Sequence, residues 1–364
     1  MISRDQHGGN VHAAARETGR ALHRLIDFSA SINPLGPSPL ALQAVRAGLP
    51  KTIHYPDPDC VALREALAKR HGLAPDAFLI ANGSSEVIAL LPRALSVRQA
   101  LILGPAYAEY ARAVAAGGGV VTRLDASRVD HFRPPIEQAC VRMRKVQHRP
   151  ARIDAVFLCN PNSPTGQAAP AEVVNQLATA ADEHGAWLIV DEAFIEFCEE
   201  HSVVPSMGRF PRLLVLRSLT KFYALPGLRA GYVIGPKGTL ARIRQQQPPW
   251  SVNTLAQAAA LAALNDRSHA RRSLAYMNRA RPLFARMLGA LPGVKVFPSA
   301  ANFLLVELPS SLLASRLAGS LRLQGLLVRD CSSVPGLTAR MVRLAVRTAA
   351  QNRRLVQALR RLVR

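Results

Sequence analysis

The middle of this 364-residue chain alternates short apolar runs with longer segments of helical spacing, and that alternation narrows the possible folds more than any other feature. ALILGP (100–105), AVFLCNP (155–161), AWLIVDE (186–192), LLVLRS (213–218) and GYVIGP (231–236) each end at a polar residue or a turn former. Runs of this kind read as strands buried on both faces. Between them, AEVVNQLATAADEHG (171–185) has apolar residues at helical spacing and a glycine stop. Strands alternating with helices predict an α/β fold with a mostly parallel central sheet covered by helices. Ligands of such sheets bind outside the carboxyl ends of the strands. Three chemically different side chains fall at those ends: Asn162 after one strand, Asp191 after the next and Lys221 after a third.

Past residue 245 the texture changes. QQQPPWSVN (245–253) breaks the pattern, a long helical stretch over 254–290 follows, and VKVFPSAANFLLVEL, LLVRDCSS and MVRLAVRT read as strands of a second sheet. The division predicts a large domain over 46–245 and a smaller α+β domain built from 1–45 and 246–364. The last helix, NRRLVQALRRLVR, puts Leu355, Leu359, Leu362 and Val363 on one face and arginines on the others, as a packed terminal helix with a solvated basic side does.

The formal charge is +22, with forty arginines against six lysines. Such a field draws anions, so nucleic acid, acidic lipid and phosphorylated small molecules are all candidate partners. Nucleic-acid binding rests on charge alone: no helix-turn-helix signature is visible, and aromatic residues for base stacking make up only 5%. The five cysteines are scattered without C-x-x-C pairing, which suggests neither a disulfide framework nor a metal site. The N-terminus lacks an apolar leader core, and no apolar run approaches the ~18 residues of a membrane span. A cytoplasmic protein with no membrane partner is expected.

A lysine at a strand end beside a neighbouring strand's carboxylate can form a Schiff base where the site lowers its pKa. Pyridoxal phosphate needs such a lysine and an acid opposite its ring nitrogen. Taken alone, Lys221 and Asp191 have a plainer reading as a structural ion pair. The surrounding pattern overturns it: NPNSPTG (160–166), VDEAFIEF (190–197) and SLTKFYALPGLRAG (218–231) occur in this order, about thirty residues apart. Together they resemble the fold-type I pyridoxal-phosphate enzymes of the aminotransferase class I/II group, over nearly the whole chain.

The resemblance implies roles residue by residue. Lys221 matches the lysine that binds the cofactor and later moves protons at the substrate Cα, and Asp191 the acid paired with the ring nitrogen. Asn162 matches the donor to the cofactor's phenolic oxygen, and Tyr110, in GPAYAEY, the aromatic ring stacked on the pyridine. ANGSSEVIALL (81–91) reads as a turn opening a helix, so Ser84 and Ser85 with their backbone N–H groups can hold a phosphate. Ser218, Thr220 and Arg229 resemble the residues that complete this cup. In HYPDP (54–58), Tyr55 resembles the tyrosine that reaches the cofactor phosphate of a neighbouring subunit, which implies a homodimer; on its own it reads as a buried, hydrogen-bonded tyrosine.

Within the group, HGGN (7–10), DFSASINPLG (27–36), LLVRDCSSVPGL (326–337) and VRLAVRT (342–348) resemble the threonine-phosphate decarboxylases of cobalamin biosynthesis. The histidinol-phosphate aminotransferases are the nearest alternative. Phe194 stands where aminotransferases commonly have a tyrosine whose hydroxyl supports the cofactor, a departure that leans toward the decarboxylases. Their reaction removes CO₂ from L-threonine O-3-phosphate, a phosphorylated amino acid that arginines can grip. Arg343 matches the arginine that commonly holds the substrate carboxylate, while Arg329 and Arg347 add charge nearby. Arg343 and Arg347, four apart on an expected strand, would face the same side, although Arg347 serves equally as an ion-pair partner. His7 is placed near the substrate by the same resemblance, or in solvent by its position alone. Gly36, with Pro34 and Leu35, resembles the turn whose backbone meets the substrate.

Overall fold

The computed structural model describes residues 8–145 and 152–363. In chain order its strands are β1 (Ile26–Asp27), β2 (Phe78–Ala81), β3 (Gln99–Gly104), β4 (Val120–Asp125), β5 (Ala155–Cys159), β6 (Trp187–Asp191) and β7 (Leu213–Ser218). They continue with β8 (Gly231–Ile234), β9 (Lys295–Val296), β10 (Phe303–Glu307), β11 (Leu326–Leu327), β12 (Arg329–Asp330) and β13 (Met341–Ala345).

The five apolar runs of the central region become β3, β5, β6, β7 and β8 of a seven-stranded sheet ordered β2-β8-β7-β6-β5-β3-β4. Every neighbouring pair is parallel except those of β8, which runs antiparallel to both β2 and β7. This is the mostly parallel sheet the sequence predicts. β2 and β4 escape the apolar pattern for different reasons. The first is only FLIA; the second, VVTRLD, is an edge strand with half-buried and exposed positions.

Side chains alternate across the sheet with period two and build a core on each side. Leu101, Val156, Leu188 and Val215 belong to one apolar cluster, and Ile102, Phe157, Ile189 and Leu214 to the other. The stretch expected as one helix over 254–290 is two, Thr254–Asn265 and Arg267–Gly289. Asp266 separates them as the second helix's N-cap. Its Oδ1 accepts from the His269 N–H at 2.9 Å and its Oδ2 from Ser38 Oγ at 2.6 Å, which fixes the break from both sides.

The C-terminal strands form an antiparallel sheet ordered β12-β13-β10-β9. The N-terminal segment joins this region directly, since β1 pairs in parallel with β11, Ile26 opposite Leu326. The terminal helix Ala349–Leu362 opens with a Thr348/Gln351 capping box and buries Leu355, Val356 and Leu359 while its arginines face out. No helix among the described residues is long and apolar enough to cross a membrane.

Candidate active site

A cavity of about 590 Å³ opens beyond the carboxyl ends of the central strands, between the two sheets. One corner is built for an anion. Helix Ser84–Ala94 starts from Gly83, at φ 79°, with no side chain capping its first-turn amides. Those N–H groups and the positive helix end face whatever the corner holds. Arg229 reaches in from the loop before β8 and its Nη2 donates to Ser85 Oγ at 3.0 Å. Ser218 Oγ, at the end of β7, lies 2.7 Å from Thr220 Oγ1. Ser84, Ser85, Ser218, Thr220 and Arg229 thus meet in one cup, all lining the cavity.

Two glycines make the cup possible. A Cβ on Gly83 would lie 2.5 Å from Arg229 Nη2, and one on Gly231 would lie 2.5 Å from the Ser84 backbone nitrogen. The second contact is with backbone and has no rotamer to relieve it. Gly231→Ala is therefore expected to weaken binding of a phosphate-bearing cofactor about tenfold or more, the cost of overpacking by a methyl group. Titration of the apoprotein with the cofactor checks this.

Lys221 follows the same strand and also lines the cavity. Its backbone is anchored, the carbonyl accepting from the Asn33 N–H at 3.0 Å. Burial, with Arg343 and Arg229 adding positive charge, lowers its ammonium pKa to about 8 against the opposing pull of Asp191. Asp191, the last residue of β6, is 5% exposed. Its Oδ2 accepts from Tyr110 O–H at 2.6 Å and its Oδ1 from the Ala193 N–H at 3.0 Å. Burial raises its pKa, while those two donors and Lys221 pull it back.

Three expectations are corrected here. Tyr110 touches the cavity but offers little ring face to it: it is 1% exposed, stacks on Phe157 of β5 with ring centroids 5.5 Å apart, and spends its hydroxyl on Asp191. The more accessible ring is Tyr107, set edge-on to Tyr110 and lining the cavity. Asn162 is likewise consumed by the protein. Its Nδ2 donates to the Pro105 carbonyl at 3.0 Å, and its Oδ1 accepts from Thr165 Oγ1 at 2.8 Å. The neighbouring Ser163 lines the cavity instead. Gly36 does not line it either, for its carbonyl meets His269 Nε2 at 3.1 Å, whereas Ser29, Ala30 and Ser31 do.

Arg343 on β13 sits directly opposite Arg329 on β12, so both reach the cavity from one face of the small sheet. Arg343 is held at both ends, Nη1 donating to Ser163 Oγ and Nη2 to the Ser29 carbonyl, each at 2.9 Å. It also lies over the Phe303 ring, which packs edge-on against Phe194. Arg347 does not share that face, because β13 stops at Ala345. Its backbone N–H donates to Asn352 Oδ1 at 3.0 Å, and it is not among the residues that line the cavity. Two arginines that sequence reasoning missed, Arg112 and Arg123, line the cavity from the large sheet's side. Neither carried a motif.

Tyr55 is 78% exposed and stacks on Trp250, which excludes the buried reading. It is not part of this cavity lining. His7 lies outside the described residues; Gly8, next to it, lines the cavity. Among the described residues no cluster of His, Cys, Asp or Glu is arranged to hold a metal ion.

Comparison with known proteins places this geometry. The family description "Aminotransferase class I and II" matches residues 23–359. The chain is 37% identical to a threonine-phosphate decarboxylase of Salmonella typhimurium over 97% of its length and 95% of the relative's. It is 34% identical to a histidinol-phosphate aminotransferase of Symbiobacterium thermophilum, covering 97% and 94% of the two chains. Among solved structures, the histidinol-phosphate aminotransferase of Sinorhizobium meliloti in complex with pyridoxal-5'-phosphate superposes with a TM-score of 0.86 at 25% identity, over 98% of this chain and 95% of that one. A parallel sheet with a lysine, a buried aspartate and an anion cup at its strand ends, matched over nearly the whole length, belongs to the aminotransferase class I and II family.

Proposed function

We propose that this protein decarboxylates L-threonine O-3-phosphate to (R)-1-amino-2-propanol O-2-phosphate with pyridoxal phosphate as cofactor, a step of cobalamin biosynthesis. The residues present fit the cofactor. The uncapped helix start with Ser84, Ser85, Ser218, Thr220 and Arg229 would hold its phosphate, Lys221 its carbonyl carbon and Asp191 its ring nitrogen. Tyr107 offers the accessible ring. When bound, the cofactor supplies an electron sink for the pair left by the departing CO₂.

The chain's own groups do the rest. Lys221, with its pKa near 8, has a substantial neutral fraction at neutral to mildly alkaline pH and can take or give a proton at Nζ. Tyr110 and the Ala193 amide hold Asp191 in place and favour its carboxylate form. Phe194 brings no hydroxyl to the cavity, so orientation of the substrate falls to the arginines.

The observation that carries the reading is the arginine wall. Arg112, Arg123, Arg329 and Arg343 line the same cavity as Lys221, in addition to Arg229 in the cup. A substrate with both a carboxylate and a phosphate matches such a wall. A decarboxylase gains little from gripping the carboxylate it must release, and more from anchoring the phosphate. The relative from Salmonella typhimurium supports the same assignment.

The paired assay is direct. CO₂ release from L-threonine O-3-phosphate without glutamate formation from 2-oxoglutarate and histidinol phosphate is the expected result. Glutamate without CO₂ would assign the protein to the aminotransferases. We further propose a cytoplasmic homodimer, supported by the exposed Tyr55–Trp250 stack beside Ile53, which is 81% exposed. The large domain is proposed to span about 46–245, with 1–45 and 246–364 forming the small one, in line with the separation of the seven-stranded sheet from the β12-β13-β10-β9 sheet and the β1-β11 pair.

A further inference from the structure

Two arginines of the cavity wall share an unusual property: Arg123 and Arg343 each carry a buried Nε–H with no acceptor. Arg343 is otherwise pinned by Ser163 and Ser29. Arg123 is held differently. It projects from β4, the edge strand at the opposite side of the large sheet from β2, and its Nη2 donates to Asp125 Oδ1 at 2.6 Å and to the Pro335 carbonyl at 2.8 Å. Residues 123 and 125 share one face of the strand, which lets the carboxylate steady the guanidinium.

This junction has room only because two glycines leave it. A Cβ on Gly104 would collide with Asp125 Oδ1, and one on Gly336, at φ 87°, would lie 3.0 Å from Asp125 Cγ. Ser333, Val334 and Pro335, which line the cavity, are therefore tied to the large sheet by one guanidinium gripping a neutral carbonyl. A phosphate oxygen is a stronger acceptor for that guanidinium than a peptide carbonyl. Of the other cavity cations, Arg112 pairs with Glu109 at 2.7 Å, Arg229 belongs to the cup, and Arg343 is fixed between Ser163 and Ser29 beside Lys221's end of the cavity.

Resting on the proposed decarboxylase reading, we propose that Arg123 is the residue that selects for the substrate's phosphate. Its guanidinium exchanges the Pro335 carbonyl for a phosphate oxygen while Asp125 keeps it at the rim, and the segment Cys331–Leu337 is released and reset as this happens. No covalent step is involved, and the exchange couples recognition of the phosphate to the position of the wall above the reacting carbon.

The test uses holoenzyme and compares Arg123→Gln and Arg123→Lys with wild type. For Arg123→Gln, kcat/KM for L-threonine O-3-phosphate is expected to fall about 10- to 100-fold through KM, the worth of a charged hydrogen bond. The loss on unphosphorylated L-threonine is expected to be several-fold smaller than that on L-threonine O-3-phosphate, and Arg123→Lys recovers part of the phosphate-specific loss. Inorganic phosphate should speed proteolytic cleavage within the 331–337 segment in wild type and leave it unchanged in Arg123→Gln, where the tie to Pro335 is already absent. An equal loss on both amino acids, or an unchanged preference for the phosphorylated one, overturns the inference. Wild type that releases no CO₂ from either amino acid overturns the functional reading; the proteolysis experiment then still decides whether Arg123 reads phosphate, and unchanged cleavage with phosphate in wild type overturns the inference.

Discussion

Lys221→Ala is expected to abolish the visible absorbance of lysine-bound cofactor and to lower CO₂ release by about 10³-fold or more, the scale of losing a positioned acid–base group together with covalent attachment. The effect should be near total because the cavity offers no substitute. Of the six lysines, Lys221 is the one that lines it. Its pKa near 8 is a property of the place rather than of the residue, set by burial and by Arg343 and Arg229. Arginine at this position would keep the charge and still fail, since a guanidinium does not deprotonate near neutral pH. Because the Ser84/Ser85 cup is independent of the lysine, the alanine variant should still take up cofactor, with the spectrum of the free aldehyde. A variant that keeps both the band and the activity would end the proposed function.

Arg217→Met is expected to lower stability by about 3–5 kcal/mol, the usual cost of removing one partner from a buried ion pair. Arg217, 1% exposed, lies within 2.8 Å of Glu192, 3.8 Å of Glu196 and 2.9 Å of Glu199, and donates to Ser202 Oγ. Glu192 and Glu196 are themselves buried, and burial raises both carboxyl pKa values, Glu196 to about 8, against the pull of Arg217. Without the arginine both carboxyls rise further. The folded variant then binds more protons than the unfolded chain above about pH 4.5, so its stability should fall more steeply than that of wild type as pH climbs toward neutrality and beyond. Urea unfolding at pH 6 and pH 8.5 would read this as a widening gap in midpoint. The consequence reaches the site, because Glu192 follows Asp191 and Arg217 precedes Ser218, on the same two strand ends.

Much of this architecture is legible in the chain, and the exceptions share a cause. Apolar runs long enough to be buried on both faces, such as LLVLRS, identify their strands without ambiguity, whereas FLIA and the half-exposed VVTRLD do not. The cup was readable because its components are consecutive: a glycine, two serines and a helix start. The misplacements are short shifts within turns or a helix's first turn. Asn162 gave way to Ser163, and Tyr110 to Tyr107, because chain direction there depends on contacts with Pro105, Thr165 and Asp191 that no local pattern encodes. Arg347 was assigned to a strand that ends two residues earlier. Arg112 and Arg123 carried no signal at all, being arginines among forty, and only the folding of β4 against the 331–337 segment gives Arg123 its meaning.

The pairing of β1 with β11 has a bearing on how the molecule comes into being. Ile26 finds its strand partner only at Leu326, whereas the seven-stranded sheet is complete at Ile234. During synthesis, then, the ribosome has made the full anion cup and its lysine well before Arg329 and Arg343 exist. The N-terminal segment meanwhile waits without a partner strand through three hundred residues of translation. Cofactor capture can therefore precede the arrival of Arg329 and Arg343, which complete from the small sheet a wall whose other half, Arg112 and Arg123, is already in place.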